Sequence, residues 1–270
     1  MSASDQQHIF RSLHLASEPL LLPNAWDAGS AALIESLGAK AIATTSAGLC
    51  WARGYADGGS LPAEELVAAA QSIARVVRVP LSVDMESGYS GDPRAVADLA
   101  VRLADIGAVG INIEDGAEPP ELLIGKIEAI RRAAGPGLFI NARTDVLLRS
   151  LATGDAALDA VCRRSASYLA AGCDGIFVPG LADLNAMATI ARAIVPRPLN
   201  VMLLPKLPAL TVLHQHGVRR LSAGSALAQA ALGHVAKLTS QFLAGAGEAA
   251  FSSPTAAYGA TNALFSHGVR

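Results

Sequence analysis

Several acidic residues in this 270-residue sequence stand directly after short apolar runs that have the composition of buried strands. Asp84 closes the run Leu81-Ser82-Val83 and Glu86 stands two positions on, so the two-residue period of an extended chain places both carboxylates on one face. Glu114 closes Ile111-Asn112-Ile113, where Asn112 and Glu114 share a face and Asp115 turns away. Three carboxylates with no positive residue between them repel one another, and a hard divalent cation relieves that repulsion best. Mg²⁺ is the expected ion, with Mn²⁺ as the alternative. Mg²⁺ retains several waters and takes one or two carboxylates directly, leaving positions for a chelating substrate. For any one of these acids alone, capping of the next turn is an equally good explanation; the three together favour the metal.

Further along, Asn141-Ala142-Arg143-Thr144-Asp145 has the same alternation. Arg143 can neutralise a substrate carboxylate and developing enolate charge. The alternative is an Arg–Asp pair that ties strand tops together. Thr44-Thr45-Ser46-Ala47-Gly48 offers small residues that let a ligand approach backbone N–H groups, although ordinary turns use the same residues. Asp57, within Gly54-Tyr55-Ala56-Asp57-Gly58-Gly59, is either a site residue or part of a surface turn. The six histidines (His8, His14, His214, His216, His234, His267) fall in helical stretches or near the termini, which disfavours a zinc site and a Ser-His-Asp triad. Cys50, between Leu49 and Trp51, reads as packing rather than as a nucleophile.

The elements that must position these residues repeat along the chain. Eight short aliphatic runs, at 20–23, 41–44, 81–84, 109–113, 139–142, 175–178, 199–201 and 219–222, alternate with amphipathic stretches of helical spacing. Gly38, Gly107, Gly172 and Gly217 each end a helix just before the next run, as C-caps do. Regular strand–helix alternation implies parallel βα units, and eight of them imply an α/β barrel in one domain spanning 1–270. In such barrels the strand C-termini form the active site, which is where the acidic residues fall. The hydrophobic fraction of 51% with only 4% aromatics suits close-packed aliphatic layers. Past the eighth run the sequence continues through 225–244, a Gly/Ala turn and the Ala-rich, polar stretch 249–265, whose apolar positions need a cover. Residues 245–270 read as a helical extension used in oligomer contacts, or else as a frayed or self-packed tail.

With 21 basic and 23 acidic residues and no basic cluster, nucleic acid is not an expected partner. Charges interrupt every apolar run before membrane-spanning length, and residues 1–19 lack an export signal. Three widely spaced cysteines suit a reducing compartment, so a cytoplasmic location is expected.

Taken in order, Pro23-Asn24-Ala25-Trp26-Asp27, Thr45-Ser46-Ala47-Gly48, Gly54-Tyr55-Ala56-Asp57, Asp84-Met85-Glu86-Ser87-Gly88-Tyr89, Ile113-Glu114-Asp115 and Asn141-Ala142-Arg143-Thr144-Asp145 resemble the isocitrate lyase/phosphoenolpyruvate mutase superfamily over residues 20–235. The resemblance implies a (β/α)₈ TIM barrel of the phosphoenolpyruvate/pyruvate type, with a C-terminal helix swapped between subunits of a homodimer or homotetramer. It implies that Asp84, Glu86 and Glu114 hold Mg²⁺ directly or through water, and that Ser46, Ala47 and Gly48 bind the carboxylate of a small 2-oxo or 2-hydroxy acid. Asp57 and Arg143 match catalytic positions, Arg143 also a substrate-binding one, and Asn200 matches a polar position on strand seven.

The departures fall where the superfamily chooses its reaction. The lyases' Lys-Lys-Cys-Gly-His loop is replaced by Gly116-Ala117-Glu118-Pro119-Pro120-Glu121, so this is not a true isocitrate lyase. The Lys-rich gate of phosphonate-cleaving relatives is missing too. Gly180 stands where many relatives carry Glu, and Asn200-Val201-Met202 replaces Asn-x-Thr. The expectation is a Mg²⁺-dependent carbon–carbon lyase or decarboxylase that forms an enolate. Phosphonopyruvate-type chemistry and a non-catalytic oxo-acid-binding barrel are the alternatives.

Overall fold

The computed structural model describes residues 2–248 and 256–266. A helix, α1 (Ala3–Leu15), precedes the strands β1 (Leu20–Leu22), β2 (Asn24–Ala25), β3 (Ile42–Thr44), β4 (Leu81–Asp84), β5 (Ala108–Glu114), β6 (Phe139–Arg143), β7 (Gly175–Phe177), β8 (Leu199–Met202) and β9 (Val218–Ser222). Between them run α2 (Ala28–Ser36), α3 (Ser46–Ala52), α4 (Ala63–Ala74), α5 (Pro93–Asp105), α6 (Pro120–Ala134), α7 (Gly154–Ala170), α8 (Leu184–Ile194) and α9 (Leu210–Gln215), and α10 (Ala226–Leu243) and α11 (Tyr258–Ala263) follow. Every strand pair is parallel, in the order β1-β9-β8-β7-β6-β5-β4-β3-β2. The fold is therefore a TIM barrel.

β1 and β2 are one strand interrupted at Pro23. Leu20 to Leu22 pair with β9, and Asn24 and Ala25 pair with β3. Proline has no N–H to give to a ladder. Its carbonyl still accepts from the Ala43 N–H at 3.0 Å, so the chain changes neighbours there and the eight expected strands close. Outward-facing Ile42, Val83, Ile111, Ile113, Ile140, Ile176 and Val201 are fully buried beneath the helices. Each such side chain contributes roughly 1.5–3 kcal/mol.

Helix α1 is absent from the sequence-based expectation, because residues 1–19 read as polar. It begins with a Ser2/Asp5 capping box and drives Phe10 into the bottom of the barrel. A Cβ on Gly110 would lie 2.7 Å from the Phe10 ring, so only glycine admits this plug.

The helix after the last strand behaves differently from the others. Only Ala228 of α10 is buried, while Leu232, Val235, Phe242 and Leu243 are exposed. Beside β1 and β9 lies an apolar groove of about 860 Å³ lined by Leu21, Ile34, Leu37, Leu203, Leu221 and Leu227. Of the expected extension at 245–270, residues 249–255 and 267–270, including His267, lie outside the described residues. No helix among the described residues is long and apolar enough to cross a membrane.

His14, in the last turn of α1, stacks on Phe139 with ring centroids 4.4 Å apart, and its Nδ1 donates to the Phe10 carbonyl at 2.7 Å. A helix C-terminus favours a cation by roughly 1 kcal/mol. Burial outweighs that, and with the Arg220 and Arg11 charges it holds the imidazole down to about 3, against the pull of the Phe10 carbonyl and Asp174. The unfolded chain takes up this proton near pH 6.5 and the folded chain only near 3. The stabilising contribution is complete above pH 6.5 and is lost as pH falls toward 3, by about 2 kcal/mol between pH 7 and pH 5. Urea unfolding of wild type and His14→Leu should show the stability difference between them moving by about 2 kcal/mol in the variant's favour from pH 7 to pH 5, on top of the opposite pH dependence that the raised Asp84 and Glu114 carboxyls give to both proteins. A difference that does not move with pH would refute the assignment.

Candidate active site

At the top of β4, the Asp84 N–H donates to Thr44 Oγ1 at 2.9 Å, and Asp84 Oδ1 accepts from the Glu86 N–H at 3.2 Å. Glu86 is not a continuation of the strand, as the two-residue period had suggested. It adopts φ +48°, a left-handed conformation uncommon for a non-glycine residue. The turn is held by the Gly88 N–H on the Met85 carbonyl, 2.8 Å, and by the Tyr89 hydroxyl on Glu86 Oε1, 2.7 Å. Gly88 (φ +92°) is required, since a Cβ there would meet Val96 at 2.6 Å. The Glu86 carbonyl then accepts from the Glu114 N–H, 2.9 Å, which ties the two acidic residues together through the backbone.

Burial pushes Asp84 up to about 6; Glu86 and Asp57 push the same way, while Arg143 and the Glu86 N–H oppose them. Burial likewise pushes Glu114 up to about 8, against the pull of Arg143 and with repulsion from Asp84, Asp145 and Glu86. Among the described residues, the group whose ligand atoms all lie within 4.8 Å of one another is Cys50, Asp57 and Glu86. Glu86 therefore faces exposed Asp57 on one side, while Glu114 pairs with Arg143 Nη1 at 2.9 Å on the other. Asp84, Glu86 and Glu114 are coupled through their charges and are not drawn into one tight cluster. A hard carboxylate set with unrelieved repulsion fits a divalent cation held partly through water. Cys50 does not fit as a thiolate, because burial, then Glu86, Asp57 and Asp84, push its thiol up to about 11.

Arg143 combines both sequence readings. Its Nε and Nη2 donate to Asp145 at 2.6 and 3.0 Å, and Nη1 faces Glu114, so every guanidinium nitrogen meets a carboxylate. Burial opposes its charge, yet Glu114 and Asp145 more than compensate and keep it firmly cationic. Asp115 points outward as expected, accepting from Arg164, Tyr168 and the Asp145 N–H at 2.7, 2.6 and 2.8 Å. It is a strut beneath the site.

Ser46, Ala47 and Gly48 form the first turn of α3 rather than a loop. N–H groups in a first helical turn have no acceptors within the helix, and Thr45 supplies no side-chain cap. Smallness has a packing reason as well: a Cβ on Gly48 would meet Trp26 Cβ at 2.7 Å and Thr45 Cγ2 at 2.8 Å. Asn200 is buried in a polar layer below the mouth. Its Oδ1 accepts from Asn141 at 3.0 Å and its Nδ2 bonds the Val201 carbonyl at 2.7 Å. Asn141 also donates to Asn112 Oδ1 at 2.9 Å, and Arg220 Nη2 reaches the same oxygen at 3.0 Å.

Arg220 was missed by sequence reasoning. Counting back two from inward-facing Ser222 would have aimed it into the barrel. Two departures gain a structural basis. Only residues 115–119 separate β5 from α6, too few for a long catalytic loop. Gly180 (φ +83°) lies against the loop after β6, where a Cβ would stand 3.2 Å from the Leu148 nitrogen.

Comparison with known proteins gives this barrel a family. A family model described as phosphoenolpyruvate phosphomutase matches residues 10–243. An uncharacterized protein of Mycobacterium tuberculosis is 38% identical over 223 residues, covering 80% of this chain and 81% of that protein. The 2-methylisocitrate lyase of Bacillus subtilis is 32% identical over 203 residues, covering 70% of this chain but only 64% of the lyase. A crystal structure of a candidate phosphonomutase from Burkholderia cenocepacia J2315 superposes with a TM-score of 0.83 at 37% identity, covering 88% of this chain and all of that one. With the fold, the ordered motifs and the match over nearly its whole barrel in agreement, the chain belongs to the phosphoenolpyruvate phosphomutase family, within the phosphoenolpyruvate mutase/isocitrate lyase superfamily.

Proposed function

We propose that this protein is a Mg²⁺-dependent lyase that breaks the C3–C4 bond of a small 2-oxo acid, releasing carbon dioxide where C4 is a carboxylate, or the C2–C3 bond of a small 2-hydroxy acid, with the electrons collected as an enolate. The observation that carries the reading is the burial of Asp84, Glu86 and Glu114 together at the ends of β4 and β5, joined through the Glu114 N–H on the Glu86 carbonyl and with the Arg143 guanidinium beside Glu114. These three carboxylates would hold the ion directly or through water, with Mn²⁺ as a substitute. When bound, the ion supplies Lewis-acid stabilisation of developing negative charge. Arg143, its fork fixed by Asp145, exchanges Glu114 for the substrate carboxylate at Nη1. The first-turn N–H groups of Ser46, Ala47 and Gly48 face the same carboxylate. Asp57, beside Glu86, orients the reacting end of the substrate, and Asn200 acts by holding the polar floor beneath it.

One arginine committed to two carboxylates, and no room for an acidic side chain at Gly180, favour a small acid over a tricarboxylate. The family model and the Burkholderia neighbour favour phosphorus–carbon chemistry as the second reading. NMR of purified protein with Mg²⁺ and a panel of oxo acids, hydroxy acids and phosphonates separates the two. Carbon–carbon cleavage, or deuterium exchange into pyruvate, is the expected result; turnover of phosphonopyruvate instead would replace this reading with the second. Stabilisation by oxalate with no turnover of any compound would leave a binding barrel. Asp84→Ala should lower turnover by about a thousandfold with the fold intact.

Assembly follows from the same resemblance. We infer that the α10 of a second copy covers the groove beside β1 and β9, giving a homodimer or homotetramer. Light scattering on the full chain should show an oligomer that Leu232→Asp with Val235→Asp dissociates. A wild-type monomer would end the idea.

A further inference from the structure

The polar layer under the acidic cluster holds one group that the proposed chemistry leaves unused. Arg220, on β9, is completely buried, in register with Leu20 on one side and Asn200 on the other. Its Nη2 donates to Asn112 Oδ1, but Nε and Nη1 have no partner. Arg143, by contrast, spends every nitrogen on carboxylates. A buried guanidinium with unmade bonds and no carboxylate against it is costly to keep, and an apolar side chain of similar volume often serves packing as well or better. Its presence therefore calls for an electrostatic reason.

The surroundings supply one. Burial pulls Arg220 down to about 9, which leaves it cationic at neutral pH, and Asp84 is the charge that supports it. Asn112, which Arg220 holds, pairs in register with Asp84 and lies two residues before Glu114 on the same strand. The other buried polar atoms left without partners low in the barrel, His14 Nε2 and Ser82 Oγ, carry no opposing charge. A fixed positive charge in this dry floor acts with little screening on whatever occupies the mouth.

We propose that Arg220 is a positioning residue, a buried countercharge that weakens the grip of the acidic cluster on a divalent cation and strengthens the loaded site's hold on an anionic substrate. Cation and oxo acid then bind as a pair, because neither alone neutralises the site. The proposal rests on the metal reading given above, and its sign is distinctive. A strut whose loss merely loosened the site would weaken both affinities, whereas loss of a countercharge moves them in opposite directions.

Mn²⁺ binding to the full-length protein, followed by electron paramagnetic resonance with and without oxalate, tests this without recourse to turnover. In Arg220→Met, Mn²⁺ should bind about tenfold more tightly in the absence of oxalate, and oxalate about tenfold more weakly to the Mn²⁺-loaded protein. Arg220→Lys, which keeps the charge, should stay close to wild type in both. Asn112 Oδ1 retains its donor from Asn141 in either variant. Should Arg220→Met not fold, Arg220→Gln, which preserves a donor toward Asn112, is compared with Arg220→Lys by the same criterion. Wild-type binding of Mn²⁺ with unchanged or uniformly weaker affinities in the neutral variant overturns the countercharge and leaves the metal site standing. Absence of Mn²⁺ binding in the wild type overturns both.

Discussion

Negative charge gathered where the barrel is nearly dry is the constraint around which this molecule is organised. Asp84 and Glu86 are almost fully buried, and Glu114 is only slightly more open. Water cannot screen them as it would on a surface. The protein answers in three ways: a fully engaged arginine at the level of the acids, a hydrogen-bonded asparagine layer below them, and the Arg220 guanidinium within that layer. None of these removes the excess. What remains is an open electrostatic demand that a cation and an anionic ligand can meet together.

The contrast with acidic residues elsewhere in the barrel makes the point sharper. Asp115 is matched by Arg164 and Tyr168, and Asp174 at the opposite end binds Arg11 and Arg131, joining α1 and α6 to the strands. Those carboxylates are fully paired and serve as mortar. The acids of the site are less fully matched, Glu114 sharing Arg143 with Asp145, and that difference, rather than their number, separates scaffold from site. Asp145 belongs to both classes, since it orients Arg143 while receiving Arg149 and the Asp115 contact through its own backbone.

Much of this was legible in the residue order. The strand positions followed from aliphatic runs between glycine-capped helices, because close-packed βα units need those features in sequence. The outward turn of Asp115 and the inward turn of Asn112, Asn141 and Arg143 followed from alternation. Alternation failed at Glu86, where a tight turn with two left-handed non-glycine residues, Glu86 and Tyr89, aims the side chain instead. It failed differently at Ser46 to Gly48, where small residues suggested a loop but serve a helix pressed against Trp26. Helix α1 escaped notice because its burial depends on Phe10 and His14 alone, too few apolar positions to set a period. Arg220 escaped because a charged residue in a strand is normally assigned to the surface, and only closure of the cylinder carries it to the axis.

That closure has a consequence for how the molecule is made. The broken strand at Pro23 joins the N-terminal and C-terminal portions of the cylinder, with Leu20 aligned to Arg220 and the Asn24 side chain accepting from the Gly224 N–H at a separation of 200 residues. A ribosome delivers β1 well before β9, so the nascent sheet stays open, with both lateral borders unsealed, until residues 218–222 have emerged. The final strand to arrive is also the one that bears the axial guanidinium. Completion of the hoop and completion of the interior charge pattern are thus a single event, and a truncated chain ending before residue 218 would lack both at once.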